Sequence, residues 1–102
     1  MRKVRTFVAR NARELAQILG LSPEDAAEME LRCAVNDKII DAVRNSGMTH
    51  AQVAKAARTS RSRLTAILNR NTAHVSTDLM LRILAVLGYQ AKITFTRCRR
   101  AA

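Results

Sequence analysis

The chain has 102 residues, 48% of them hydrophobic, with one Tyr, two Phe, no Trp, three Gly and one Pro. That length supports one modest core, and an aliphatic, turn-poor composition argues for an all-α or nearly all-α domain and against a sandwich or barrel. The net charge of +10, from 18 Lys and Arg against 8 Asp and Glu, points to a polyanionic partner.

The charges are segregated. Seven of the eight acids (Glu14, Glu24, Asp25, Glu28, Glu30, Asp37, Asp41) fall between residues 14 and 41, and only Asp78 follows. Residues 42–77 hold no acid but six bases: Arg44, Lys55, Arg58, Arg61, Arg63 and Arg70. The most apolar run, around Leu79 to Leu87, is interrupted by Arg82 and is too short to span a bilayer. Residues 1–13 lack the uncharged core and cleavage site of a signal peptide. The expectation is a cytoplasmic protein, nucleoid-associated if it binds DNA, with reduced thiols at Cys33 and Cys98, which lack metal-type spacing.

In chain order, residues 1–10 read as a basic arm; a short strand over Val4 to Val8 and an unstructured arm fit it equally well. Asn11 and Glu14 have cap spacing before a one-sided stripe, Leu15, Ile18 and Leu19, that ends at Gly20, so a short helix is expected over 11–19. Ser22-Pro23-Glu24-Asp25 is a helix start: Ser caps, Pro is tolerated at the first position, and acids favour the positive end of the dipole. Nothing breaks the pattern before Asn45-Ser46-Gly47. Leu31, Val35, Ile39 and Val43, widened by Ala27, Ala34, Ile40 and Ala42, form the expected inward stripe of a helix of about six turns.

Thr49 and Gln52 then have the spacing of a capping box, and a helix is expected from His50 with a small apolar side of Val53, Ala54, Ala56 and Ala57. The pattern breaks at Arg58-Thr59. Ser60 reads as a second N-cap, before a helix that turns Leu64, Ile67 and Leu68 inward and Arg61, Ser62, Arg63, Thr65 and Ala66 outward. A polar loop, Asn69 to His74, leads to Ser76 as the cap of a largely buried helix over 77–87, ended by Gly88. Tyr89, Ala91, Ile93 and Phe95 alternate with Gln90, Lys92, Thr94 and Thr96, which predicts a strand over 89–96. Such a strand needs the arm or another chain to pair with. Residues 97–102 read as a basic tail.

Thr49-His50-Ala51-Gln52-Val53-Ala54, a short turn region, and Ser60-Arg61-Ser62-Arg63-Leu64-Thr65-Ala66-Ile67-Leu68-Asn69 resemble the XRE/Cro-type helix-turn-helix. The flanks, Leu19-Gly20-Leu21 with Ala26 to Glu30 and Val75 to Leu79 with Leu87-Gly88-Tyr89, are similar to small regulators that include HigA-type antitoxins. The sequence departs from the family pattern at Arg58 (the turn glycine), His50 (the phosphate-meeting Gln) and Arg70 (the glycine after the recognition helix). Arg58 must then hold a backbone position that often has φ > 0, or the turn must differ.

The resemblance implies an all-α, five-helix, lambda-repressor-like domain over 11–88 with the strand 89–96 appended. It implies that the second helix of the pair enters the major groove while the first crosses the backbone. Carried over by position, Arg61, Ser62 and Thr65 face base edges, Arg61 as a bidentate guanine contact, and Ala66 meets a thymine methyl. Thr49, His50, Ser60, Arg63, Asn69, Arg70 and Asn71 would contact phosphates. Thr49 and Ser60 also serve as caps in their own right.

The leading expectation is a sequence-specific, double-stranded-DNA-binding regulator, a homodimeric repressor on a two-fold-related operator. The alternative is an antitoxin that also binds a ribonuclease-type toxin through the arm, the first helix and the acidic segment Glu24 to Glu30. A general nucleic-acid-binding protein ranks lower, because the stacking aromatics of RNA modules are nearly missing. No nucleophile and base pair, metal constellation or glycine-rich phosphate loop suggests an enzyme, a cofactor or a metal, and His50 and His74 read as polar surface groups.

Overall fold

Local capping chemistry defines where the helices of this chain begin. The structure, a computed structural model, describes residues 12–97, whose regular elements are all helices: α1 (Ala12–Ile18), α2 (Pro23–Asn45), α3 (His50–Ala56), α4 (Arg61–Leu68) and α5 (Thr77–Val86). Ser22, Thr49, Ser60 and Ser76 each adopt extended backbone angles ahead of α2, α3, α4 and α5. The hydroxyl of each accepts the N–H three residues on, at 3.1 Å from Asp25, 3.1 Å from Gln52, 3.1 Å from Arg63 and 3.2 Å from Leu79. Thr49 completes its capping box, its own N–H donating to Gln52 Oε1 at 2.9 Å. An N-cap of this kind contributes about 1 kcal/mol, which matters most for the two-turn helices α3 and α4. The arm, the Asn11 cap, Cys98 and the tail beyond Arg97 lie outside the described residues.

The helix C-termini share one geometry. α3, α4 and α5 each end with an N–H bonded five residues back and the preceding N–H bonded three back: Thr59 to Ala54 and Arg58 to Lys55, Asn71 to Ala66 and Arg70 to Ile67, Tyr89 to Leu84 and Gly88 to Ala85. This closure requires a left-handed residue after the cap. Gly88 supplies it at φ 90°, whereas Arg58 and Arg70 take φ 56° and 61°. Arg58 therefore keeps the left-handed turn that the helix-turn-helix pattern assigns to glycine, at a cost of about 1 kcal/mol for a residue with a Cβ.

The core forms where the C-terminal half of α2 meets α4 and α5, with α3 packed on α4 and α5. Val35, Ile39 and Val43 of α2 are buried with Val53, Ala54 and Ala57, Leu64 and Ile67, Val75, and Leu79, Met80, Ile83 and Leu84. Met48 packs against this cluster and seats the start of α3. The inward stripe expected along the whole of α2 is shorter than its periodicity implied. Leu31 is 50% exposed, and Ala27 and Ala34 are also exposed; the buried cluster takes residues of α2 only from Val35 onward. Ile18 and Leu19 of the first stripe are exposed as well, and Ala56 faces outward on α3.

The strand expected over 89–96 is absent. Residues 89–97 form no regular element, and among the described residues no second strand lies beside them to take up their backbone N–H and C=O groups. Tyr89 instead bonds back to Leu84 as part of the α5 closure, and the Lys38 ammonium sits 4.3 Å from its ring centroid. Ile93 and Phe95 are 65% and 90% exposed.

Polar ties fix how α4 sits on α2. Asn36, the one buried polar residue of the described core, donates from Nδ2 to the Ile67 carbonyl at 2.9 Å. One turn earlier, the Arg32 guanidinium donates to Thr77 Oγ1 at 2.9 Å, to the Thr72 carbonyl at 2.7 Å and to the Val75 carbonyl. Arg32 thereby holds the loop between α4 and α5 against α2. Asn36→Ala removes the donor, while the Ile67 carbonyl keeps the Arg70 N–H. It is expected to lower stability by about 0.5–1.5 kcal/mol, read in urea as a lower midpoint at unchanged slope. An unchanged midpoint would show that the bond contributes nothing to the seating of α4.

Candidate nucleic-acid interface

Two short capped helices and the turn between them carry most of the cationic, carboxylate-free window. Burial of Val53, Ala54 and Ala57 fixes one side of α3, and burial of Leu64 and Ile67 fixes one side of α4. Side chains three or four residues apart share a helix face, and Ser62 and Thr65, two residues before Leu64 and Ile67, fall on the side turned away from the core. Arg61, Ser62, Arg63 and Thr65 are exposed on α4, and Ala66 is half-buried at the edge of this face. The outward surface of α4 thus offers two guanidinium groups, two hydroxyls and a methyl, with no acid in its first turn. Its N-terminus also carries the positive end of the helix dipole.

The structure brings the remaining sequence-predicted residues to the ends of the same two helices. Thr49 and His50 are exposed at the start of α3, where His50 borders a shallow depression with Arg44, Ile40, Val43 and Leu68. Ser60 is exposed at the start of α4, its Oγ occupied in capping the Arg63 N–H. Asn69, Arg70 and Asn71 are exposed at the far end of α4. All eleven candidates therefore lie on α3, α4 and the residues that cap or close them. Chemically, the set can donate hydrogen bonds to base edges from the middle and to anionic oxygens from both ends.

Three contributors are not evident from the local sequence. Asn36 and Arg32 act from α2, across 31 to 45 residues of chain, and a lone amide and a lone guanidinium beside an apolar stripe were the only signals available. Asp37 also acts from α2: its Oδ1 accepts from the Arg70 guanidinium in an ion pair whose side chains are 61% and 58% exposed. One of the expected phosphate-contacting cations is thus engaged by a carboxylate of the chain itself. Cys33 is a free, half-buried thiol beside Met29 and Arg32, on the wall of a cleft of about 810 Å³ between α1, α2 and the loop after α4.

Among the described residues, no helix is long and apolar enough to cross a membrane. Comparison with curated proteins and with solved structures gives no match. A family model described as a helix-turn-helix domain matches residues 12–96, a span that takes in all of α1 to α5 and most of the irregular segment after them. The match, together with the capped α3 and α4 pair and its left-handed turn, supports nucleic-acid binding, and the chain belongs to the helix-turn-helix domain family.

Proposed function

We propose that the protein is a sequence-specific double-stranded-DNA-binding transcriptional regulator, a homodimeric repressor of the XRE type that reads the major groove with α4. The observation that carries this reading is the outward face of α4, where Arg61, Ser62 and Thr65 are exposed on a helix whose opposite side is locked by Leu64 and Ile67. Helix-turn-helix domains place such a helix with its N-terminal residues against base edges. Arg61, in the first turn, matches O6 and N7 of guanine by a bidentate pair, and Ser62 and Thr65 supply adaptable hydroxyls. Thr49, His50, Ser60, Arg63, Asn69, Arg70 and Asn71 hold the backbone and set the register without reading sequence.

A domain with one eight-residue reading helix covers only a few base pairs, and two copies on half-sites one helical turn apart supply the rest. Residues 89–96 suit the contact between copies. In an antiparallel pairing centred on Ile93, Phe95 of one chain lies beside the small Ala91 of the other, and Lys92 faces Thr94 rather than a second lysine. The exposure of Ile93 and Phe95 supports this use of the segment.

A second reading keeps the DNA role and adds a toxin as protein partner. It is favoured by the exposed Ile18, Leu19, Leu21 and Leu31 around α1 and the N-terminal half of α2, next to the carboxylates Glu24, Asp25 and Glu28. An apolar patch rimmed by acids suits a basic protein. Co-purification of a small basic protein that Leu19→Asp with Leu31→Asp releases, while DNA binding persists, supports it; a clean single species from the native host removes it.

Selection of bound sequences from random duplex is expected to return two related half-sites about one helical turn apart. On the selected site, Arg61→Ala should lose roughly 10- to 100-fold in preference over random duplex, whereas Arg70→Ala should weaken both alike. Equal preference by the wild type and Arg61→Ala defeats base reading by α4. Asp37 competes with phosphate for Arg70, so Asp37→Asn should tighten binding to any duplex by roughly 1.5- to 5-fold, the equivalent of an exposed ion pair. The gain should shrink as salt rises; an unchanged affinity in 50 mM salt would show that Arg70 does not contact phosphate.

A further inference from the structure

Among the described residues, positive φ occurs at Gly20, Gly47, Gly88, Arg58 and Arg70, and each follows the end of a helix. α1, α2 and α5 use glycine there. Only α3 and α4, the pair that forms the helix-turn-helix, use arginine. The backbone itself gives no reason for the difference, since Arg58, Arg70 and Gly88 close their helices with the same two hydrogen bonds. A residue with a Cβ is disfavoured in this conformation and glycine is not. What sets these two ends apart is therefore the guanidinium each presents and not the way the helix is closed.

Their placement indicates a ligand. Arg58 and Arg70 lie just before and just after α4, both exposed. Eight residues of helix span about 12 Å, comparable with the width of the major groove. Arg70 has Asp37 as a partner, and among the described residues the Arg58 guanidinium has no hydrogen bond or ion pair. The nearest chain on either side of Arg58, residues 42–77, contains no carboxylate that could claim it.

We infer that Arg58 is a phosphate-contacting residue, and that it and Arg70 form a pair of left-handed arginines that flank α4 and hold the nucleic-acid backbone at both ends of the reading helix. The inference rests on the DNA-binding reading above and adds to it a contact that the helix-turn-helix pattern, with glycine at this turn, does not supply. The protein keeps an unfavourable backbone state in the turn in exchange for a cation beside the groove.

The test uses a labelled 30-base-pair duplex of random sequence, because phosphate contacts are independent of sequence, with the full chain as wild type, Arg58→Gly and Arg58→Lys. Arg58→Gly should melt at a higher temperature than the wild type, having lost the strained residue, and yet bind the duplex several-fold more weakly between 50 and 200 mM salt. The slope of log K against log salt should shrink by about 0.9, the value for one phosphate contact. Arg58→Lys should keep the wild-type slope. If Arg58→Gly melts higher but binds with wild-type affinity and slope, the inference is wrong and the DNA reading stands. If Arg58→Gly melts lower, the premise that arginine is held against backbone preference is overturned. If the wild type shows no salt-dependent binding to the duplex, the DNA reading itself fails and the inference with it.

Discussion

The hydrogen bond from Asn36 to the Ile67 carbonyl is the contact on which the geometry of the interface depends. It joins the middle of α2, the longest helix, to the last turn of α4, and it does so inside the core, where an unmade bond is costly. Hydrophobic burial alone would let α4 slide or roll on α2, since Leu64 and Ile67 are held by non-directional contacts. A single directional bond, reinforced by Arg32 gripping the loop that follows α4, removes that freedom. With the inner side of α4 fixed, its outer side is fixed as well, and Arg61, Ser62 and Thr65 are presented from a rigid support. The caps at Thr49 and Ser60 set where the two short helices begin, and the left-handed turn at Arg58 sets how one follows the other.

Electrostatics follow from the same arrangement. Acids crowd the first half of the chain and bases the helix-turn-helix, but folding does not keep them wholly apart. Asp37 reaches Arg70, and Lys38 reaches both Asp41 and the ring of Tyr89. These exposed pairs add little stability. Their greater effect is on the field at the α4 surface, which one carboxylate moderates at the far end and none moderates at the near end.

Much of this was legible in the sequence because it is local. Ser22-Pro23, Thr49 with Gln52, Ser60 and Ser76 are caps that act within three residues, and the helices begin where they indicate. The buried residues of α4 and α5 follow from periodicity alone. What escaped is what depends on contact across the chain. Periodicity identified the apolar side of α2 but not how far other helices extend along it, so Leu31, Ala27 and Ala34 are exposed. Alternation from Tyr89 to Thr96 marks two faces of an extended segment and says nothing of a partner strand, and none lies beside it among the described residues. Asn36, Arg32 and Asp37 carried no local signature, since each acts on a residue more than thirty positions away. At Arg58 the residue type argued against a left-handed turn, and the closure of α3 imposed it anyway.

The central claim is that α4 and its two ends form the surface that meets duplex DNA, and amide chemical-shift mapping of the full chain titrated with a duplex tests it most directly. The account predicts perturbations concentrated at residues 49–50, 58–66 and 69–71, with α1 and the N-terminal half of α2 unchanged. Perturbations centred instead on residues 14–31, or on residues 89–97, with residues 60–66 unaffected, would contradict it.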